Sequence, residues 1–366
     1  MHRSSICVLP TYALECQSIK ERTNMARPVV RIRPFREDDY PALVAVTNAV
    51  HPDYPRTEEE VRHADGRFWG RFRLHRLVAE HAGRLVGWAE FHHWPSEYHP
   101  RKFAVEGGVH PDVQGQGIGG RLYEALLQEL EPLGPLVLWA RARETSTRSV
   151  RFLLDRGFVE RQRTWESRLT VATFDPTPFQ AKAEEAVRGL RVTTVAEERG
   201  RDPEWKMKLY DLDIEVGADI PRMGDYTPPD LEVWKAGLLE NPNWIPEADF
   251  VVVDGDRYVA HSNLFRCPPL PDVLYQGITG TRRAYRGRGL ALALKLRTVA
   301  YAKTHGYREI RTWNDALNTP MLHINERLGF VREPAWIGFE KVLVGLTAPE
   351  VRGSGGSSRC ASAPAR

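Results

Sequence analysis

The chain has 366 residues, 42% of them hydrophobic and 27% charged, with a formal net charge of +3. That length suits two ordinary domains, and the composition is that of a folded globular protein. The charge is too mild to imply a nucleic-acid partner, and no run approaches the roughly 18 apolar residues of a membrane span.

In chain order, residues 1–26 read as a disordered extension: the apolar patch at 6–9 is broken by Pro10, and Met25 offers an alternative start. An opening strand is predicted at 29–33, then a helix whose apolar face is Leu43, Val46 and Val50. A second helical region spans about 57–75; Arg67, Arg71, Arg73 and Arg76, with Phe68, Trp69 and Phe72 between, read either as an RNA contact or, at helical spacing, as a charged solvated face over a packed aromatic one. Strands follow at 76–81, 84–94 and 102–110, then a glycine turn and a helix with Leu122, Leu126 and Leu130 on one side. A buried strand at 136–141 precedes a short helix, capped by Thr145 or Ser146 and ended at Gly157. Asp175-Pro176-Thr177-Pro178 marks a linker, with helix at 179–188.

The order then repeats. A strand at 191–195 leads to helical material near 203–216 and a Pro/Trp-rich insertion at 217–248. Strands at 250–254 and 257–265 flank the turn Asp254-Gly255-Asp256. A strand at 273–281 reaches a second glycine turn, followed by helix 290–304, strand 309–314 and a helix begun at Asn318 and closed by Gly329. The tail 348–366 reads as disordered. The four cysteines, Cys7, Cys16, Cys267 and Cys360, are scattered without metal spacing, which argues against structural zinc and for a reduced cytoplasmic setting. His92, His93 and His99 show no metal spacing either.

Gln114-Gly115-Gln116-Gly117-Ile118-Gly119 returns as Arg286-Gly287-Arg288-Gly289-Leu290-Ala291, an offset of 286 − 114 = 172 residues. Gly157-Phe158 and Gly329-Phe330 keep the same offset of 172. A glycine-rich turn opening a helix gathers backbone N–H groups where the helix dipole is positive, a cradle for phosphates. A Walker loop is excluded because no Lys-Ser/Thr follows either turn. A dinucleotide fold fits Gly115, Gly117 and Gly120, but Leu292 replaces the third glycine in the second copy, and the strand ending at Arg141 offers no acid for a ribose.

The shared turn and terminal Gly-Phe resemble those of the Gcn5-related N-acetyltransferase superfamily, over 27–170 and 190–346. The run Met321-Leu322-His323-Ile324-Asn325-Glu326-Arg327-Leu328-Gly329-Phe330 resembles that of bacterial tandem acetyltransferases, relatives of mycothiol synthase among them. The resemblance implies an α+β chain of two such domains, 27–175 and 190–347, joined by a linker at 176–189. Each would be a splayed, mostly antiparallel mixed sheet flanked by helices. Acetyl-CoA would lie with its pyrophosphate on the amides of 114–119 and 286–291, and its arm along Val109 in one half and Thr279 and Thr281 in the other. Asn318 matches an asparagine that bonds that arm, and Ser146 stands at its offset.

Direct acyl transfer requires a base for the amine and a proton for the leaving thiolate. The family often takes that proton from a tyrosine four residues before the terminal glycine, where this chain has Leu153 and Asn325. Candidate bases are Glu106 in the first half and, in the second, Glu215, Asp219, Asp225 or Tyr275. Arg282, Arg283 and Arg288 either pair with phosphates or are solvated, and the 217–248 insertion, with Trp234 and Trp244, is either a substrate lid or packing. The expected activity is acetyl transfer to the amine of a small molecule, mainly in the second half, without a metal. The expected assembly is a monomer with an internal pseudo-dimer, or a homodimer. Alternatives are a non-catalytic acyl-CoA sensor and a peptide or protein N-terminal acetyltransferase.

Overall fold

The structure is a computed structural model and describes residues 30–343. The expected 1–26 extension and 348–366 tail lie outside the described residues. The first repeat runs β1 (Val30–Pro34), α1 (Tyr40–Val50), α2 (Glu58–Asp65), β2 (Leu74–His81), β3 (Arg84–His92), β4 (Lys102–Val109), α3 (Ile118–Leu130), β5 (Val137–Arg143), α4 (Thr147–Leu154) and β6 (Val159–Thr170). A connecting helix α5 (Thr177–Ala186) leads to β7 (Arg191–Thr194), α6 (Val195–Arg201), α7 (Trp205–Gly217), α8 (Leu231–Gly237), β8 (Phe250–Asp254), β9 (Arg257–Arg266), β10 (Val273–Thr281), α9 (Leu290–Thr304), β11 (Glu309–Asp315), α10 (Thr319–Arg327), β12 (Val331–Arg332) and β13 (Trp336–Val342).

Local chemistry accounts for many boundaries. Thr57 caps α2, accepting from the Glu60 amide at 3.2 Å, while Glu60 accepts from the Thr57 amide at 2.6 Å. Thr194 and Glu197 repeat that box at α6. Leu122, Leu126 and Leu130 of α3 are buried against Phe103, Val105, Leu138 and Ala140, each leucine contributing about 1.5–3 kcal/mol.

All strands join one sheet in the order β1-β2-β3-β4-β5-β13-β6-β11-β10-β9-β8-β7, with β12 beside β6. The two repeats exchange their last strands. β6 pairs with β11 of the second repeat, and β13, its counterpart, lies between β5 and β6. Two parallel contacts are brief. β4 and β5 pair from Lys102↔Val137 to Ala104↔Trp139, and β10 and β11 from Val273↔Glu309 to Tyr275↔Arg311. Beyond those positions the strands part, leaving one edge of β4 and of β10 without a strand partner.

Three expectations change. The helix predicted over 57–75 ends at Asp65, and Gly70 adopts φ +63°. Its arginines therefore form no helical face: Arg76 sits on β2, buried, and pairs with Asp65 and Glu90. Ser146 and Asn318 occupy the N-cap positions of α4 and α10, but neither side chain caps its helix. Trp234 and Trp244 are buried, donating to Asp213 and Asp249 at 2.7 and 3.1 Å, so they pack rather than cover.

Part of the insertion docks on the first repeat. The Gly224 amide donates to Glu97 at 2.7 Å, the Thr227 amide to the Ser96 carbonyl at 2.8 Å, and Thr227 Oγ1 to the Tyr98 carbonyl at 3.2 Å. A Cβ on Gly224 would lie 2.7 Å from the Trp139 ring, which stacks on Trp94 at 5.1 Å. Gly224→Ala is expected to lower unfolding stability by about 1–3 kcal/mol, because a ring held on its other face has no room to retreat. An unchanged urea midpoint would mean that this segment does not rest on Trp139.

Candidate active site

Each glycine turn is held open by left-handed backbone. Gly115 and Gly117 have φ +82° and +83°, Gly287 and Gly289 +78° and +90°. Gly117 and Gly289 are the N-caps of α3 and α9 and carry no side chain to satisfy the first amides. Those amides, from Ile118 and Gly119 and from Leu290 and Ala291, are the donors available to an anion. A Cβ at Gly115, Gly117 or Gly287 would project into open space.

The first residue of each turn ties the loop to the preceding strand. Gln114 Nε2 donates to the Val109 carbonyl at 2.9 Å, and Arg286 Nε to the Thr281 carbonyl at 3.2 Å. Gln116 is exposed, and Arg288 lies over the Tyr285 ring at 5.3 Å. Arg282 is consumed internally: it is buried and pairs with Asp211 and Glu215, both at 2.6 Å. Arg283 pairs with Asp219 at 2.5 Å. Of those three arginines, Arg288 alone stands at the turn without a carboxylate.

Those pairs also bear on the expected bases. Glu215 is occupied by Arg282 and the Arg283 amide. Asp219 is bonded by Arg283 and also Arg286, and those guanidiniums hold its carboxyl down to about 2, so it binds protons too weakly to serve as a base. Asp225 is exposed on the segment docked on the first repeat. Glu106 is exposed on β4, beside Glu90 on β3 and 4.0 Å from His92 Nε2.

Val109 pairs with Gly87, and Thr279 and Thr281 with Ser262 and Ala260, so their strands are anchored on the side away from the opening. Thr279 Oγ1 lies 2.7 Å from Ser262 Oγ, and Thr281 Oγ1 is buried without a hydrogen-bond partner. Asn318 is partly exposed at the start of α10. Asn325 is buried and donates to Asn314 Oδ1 at 2.7 Å, while its own Oδ1 finds no partner. Leu153, its counterpart, packs in the first apolar core. The backbone around them repeats: Phe158 donates to the Leu153 carbonyl at 3.1 Å, Phe330 to that of Asn325 at 3.0 Å.

Tyr275 is the last β10 residue paired with β11, at the apex of the second opening. Cys267 Sγ donates to its hydroxyl at 3.3 Å, and its ring meets Trp313 edge-on at 5.1 Å. Burial, with Cys267 beside it, raises the phenol well above its usual range, so it stays protonated. Cys267 is buried, and burial raises its thiol too, which makes it a poor nucleophile.

Three residues that sequence reasoning missed, Glu166, Tyr54 and Arg311, stand on this face. Glu166, fully buried on β6, stands opposite Trp313 of β11 and accepts from Arg168 Nε at 2.8 Å and from the Tyr54 hydroxyl. Burial and Glu166 push that phenol up to about 12. Arg311 Nη1 donates to the Asp53 carbonyl at 2.9 Å. A signal was available: Asp53-Tyr54 recurs as Asp225-Tyr226 at the offset of 172. Among the described residues no cluster of histidine, cysteine, aspartate and glutamate is arranged to hold a metal, and no helix is long and apolar enough to cross a membrane.

A mixed sheet that parts at a parallel strand pair, beside a left-handed glycine turn, defines an acetyltransferase fold, present here twice. The chain belongs to the acetyltransferase (GNAT) family, whose model matches residues 35–158 and 222–330. It is an N-acetyltransferase of the tandem kind. It is similar to the mycothiol acetyltransferase of Thermobispora bispora, 29% identical over 241 residues, covering 61% of this chain and 71% of that one. The mycothiol acetyltransferase of Rhodococcus jostii is 26% identical over 300 residues, covering 80% and 91%. In structure the chain resembles a GCN5-related N-acetyltransferase from Sphaerobacter thermophilus (TM-score 0.63, 21% identity, 86% of this chain and 95% of that one). It also resembles a tandem GNAT protein from the clavulanic acid biosynthesis pathway (TM-score 0.66, 17% identity, 86% and 98%).

Proposed function

We propose that the chain transfers the acetyl group of acetyl-CoA to the amine of a small molecule, and that the second repeat performs the chemistry. The observation that carries this reading is the free edge of β10 beside the uncapped Gly289 turn, with Tyr275 at the apex of the opening. The turn offers amides to a pyrophosphate, and the strand edge offers backbone groups to the amide-bearing arm of the cofactor. The relatives named mycothiol acetyltransferase support a small-molecule acceptor.

The neutral amine attacks the thioester carbonyl, the C–S bond breaks, and the amine's surplus proton leaves through water. A thiol titrates near 8.5, so the departing thiolate needs little help, and a positioned donor suffices. Tyr275 fits that role: it stands at the apex of the opening, and burial keeps its hydroxyl protonated. Asn325, with its amide committed to Asn314, shapes the wall.

Tyr275→Phe is expected to lower kcat about 10- to 100-fold in a thiol-release assay with acetyl-CoA and a panel of amines, the scale of one lost hydrogen bond to a charged group. Glu106→Gln should stay within about threefold, because its carboxylate belongs to the first opening. The reverse pattern would move catalysis to the first repeat. A wild-type protein that releases no thiol with any amine would defeat the acceptor class.

A further inference from the structure

A second kind of site lies in the first repeat, away from both glycine turns. A cavity of about 520 Å³ is lined by Arg71, Arg73 and Arg101 together with Phe72, His93 and Tyr98, and no carboxylate lines it. Its volume is that of a small-molecule pocket. None of the three arginines forms an ion pair among the described residues. Elsewhere in this chain arginines near carboxylates pair readily, as Arg76, Arg282 and Arg283 do. Three guanidiniums gathered around one recess repel one another, and an anion between them removes that cost.

The recess is built rather than incidental. Arg71 lies over the Phe72 and Tyr98 rings, at 5.1 and 4.8 Å. Arg101 is anchored by donating to the Gly134 carbonyl. His93 is buried and accepts from the Arg73 amide at 2.9 Å, while the Arg73 carbonyl accepts from the His93 amide at 3.1 Å. Burial holds the His93 imidazole down to about 4, so the positive charge of the recess is the arginines' alone. Arg101 and Gly134 place the cavity just past the C-terminal end of α3, whose 13 residues separate it from the first glycine turn by roughly 20 Å.

We propose that this recess binds a small multivalent oxyanion, a phosphate ester or a polycarboxylate, independently of the acetyl-donor sites. Planar guanidiniums grip both chemistries through paired N–H groups, and a multivalent anion engages more than one of them. The reading does not depend on which repeat performs acetyl transfer.

The full chain would be titrated by calorimetry with pyrophosphate and, separately, with citrate. Wild type would be compared with Arg71→Ala/Arg73→Ala and with Gly117→Glu/Gly289→Glu, each shown folded by circular dichroism. Both arginines are exposed, so their removal should leave the fold intact, and Arg73→Glu serves as a second variant. Pyrophosphate binding that persists in the glycine variant and weakens at least tenfold in both arginine variants is the expected result. Citrate binding with the same dependence would mark a polycarboxylate site, and its absence a phosphate site. The proposal fails if the glycine variant loses all pyrophosphate binding, if the arginine variants bind like wild type, or if wild type binds neither anion.

Discussion

Gly289→Glu is expected to abolish turnover and raise the Kd for acetyl-CoA at the second repeat at least 100-fold, whereas Gly117→Glu should leave turnover near wild type. Gly289 has φ +90°, and an added Cβ would sit 3.2 Å from Ala186 Cβ on α5, so a side chain there is strained as well as charged. On the proposed reading, the added carboxylate would stand within reach of the amides offered to the cofactor's pyrophosphate. Like charges about 4 Å apart at an effective dielectric near 20 repel by about 4 kcal/mol, more than the 2.8 kcal/mol of a 100-fold loss. Gly287→Glu separates charge from strain of packing, since nothing lies within 4 Å of its Cβ position. It should reproduce the loss. Calorimetry would show one lost site in each single variant if both repeats bind. Turnover abolished by Gly117→Glu and spared by Gly289→Glu would reverse the assignment.

His261→Leu is expected to cost about 3–5 kcal/mol of unfolding free energy, the scale of breaking a buried charge pair from one side. His261 is fully buried on β9, with Nε2 2.7 Å from Asp213 and Nδ1 3.5 Å from Asp249. Trp234 and Trp244 donate to the outer oxygens of the same carboxylates. Burial alone would lower the imidazole's pKa, but the two carboxylates outweigh it and raise the group to about 10. A folded-state value above the ordinary 6.5 contributes stability that is complete below 6.5 and lost as pH rises through 10. Wild type should therefore weaken between about pH 7 and 10 in urea titrations, and His261→Leu should lose that slope. A variant with the wild-type slope would show that the imidazole is neutral in the fold. The network also bears on the site, because His261 pairs with Gly280, between Thr279 and Thr281.

Much of the fold was legible where a constraint acts within a few residues. The glycine turns need left-handed backbone at Gly115, Gly117, Gly287 and Gly289, and Asp254-Gly255-Asp256 turns with Gly255 at φ +59°. Both are properties of short segments. The strands β6 and β13 were not read, because nothing local requires them. β6 carries Glu166 and Arg168 in a run without clean alternation, and its neighbours β11 and β13 come from far along the chain. The helix expected to residue 75 stops at Asp65, and the chain turns at Gly70, at φ +63°, before β2.

By itself the sequence determined the duplication, the family, the two glycine turns and the departure from tyrosine at Leu153 and Asn325. Each of these is written in residue identity and spacing. Only the tertiary structure decided which charges are free. It commits Arg282 to Glu215 and Arg283 to Asp219, buries Glu166 beside Tyr54 at the second opening, and leaves Arg71, Arg73 and Arg101 without a carboxylate. It also decided that the repeats share one sheet by exchanging their last strands. Pairing of charges and of strand edges depends on groups brought together from distant segments, and a linear pattern does not record how those segments meet.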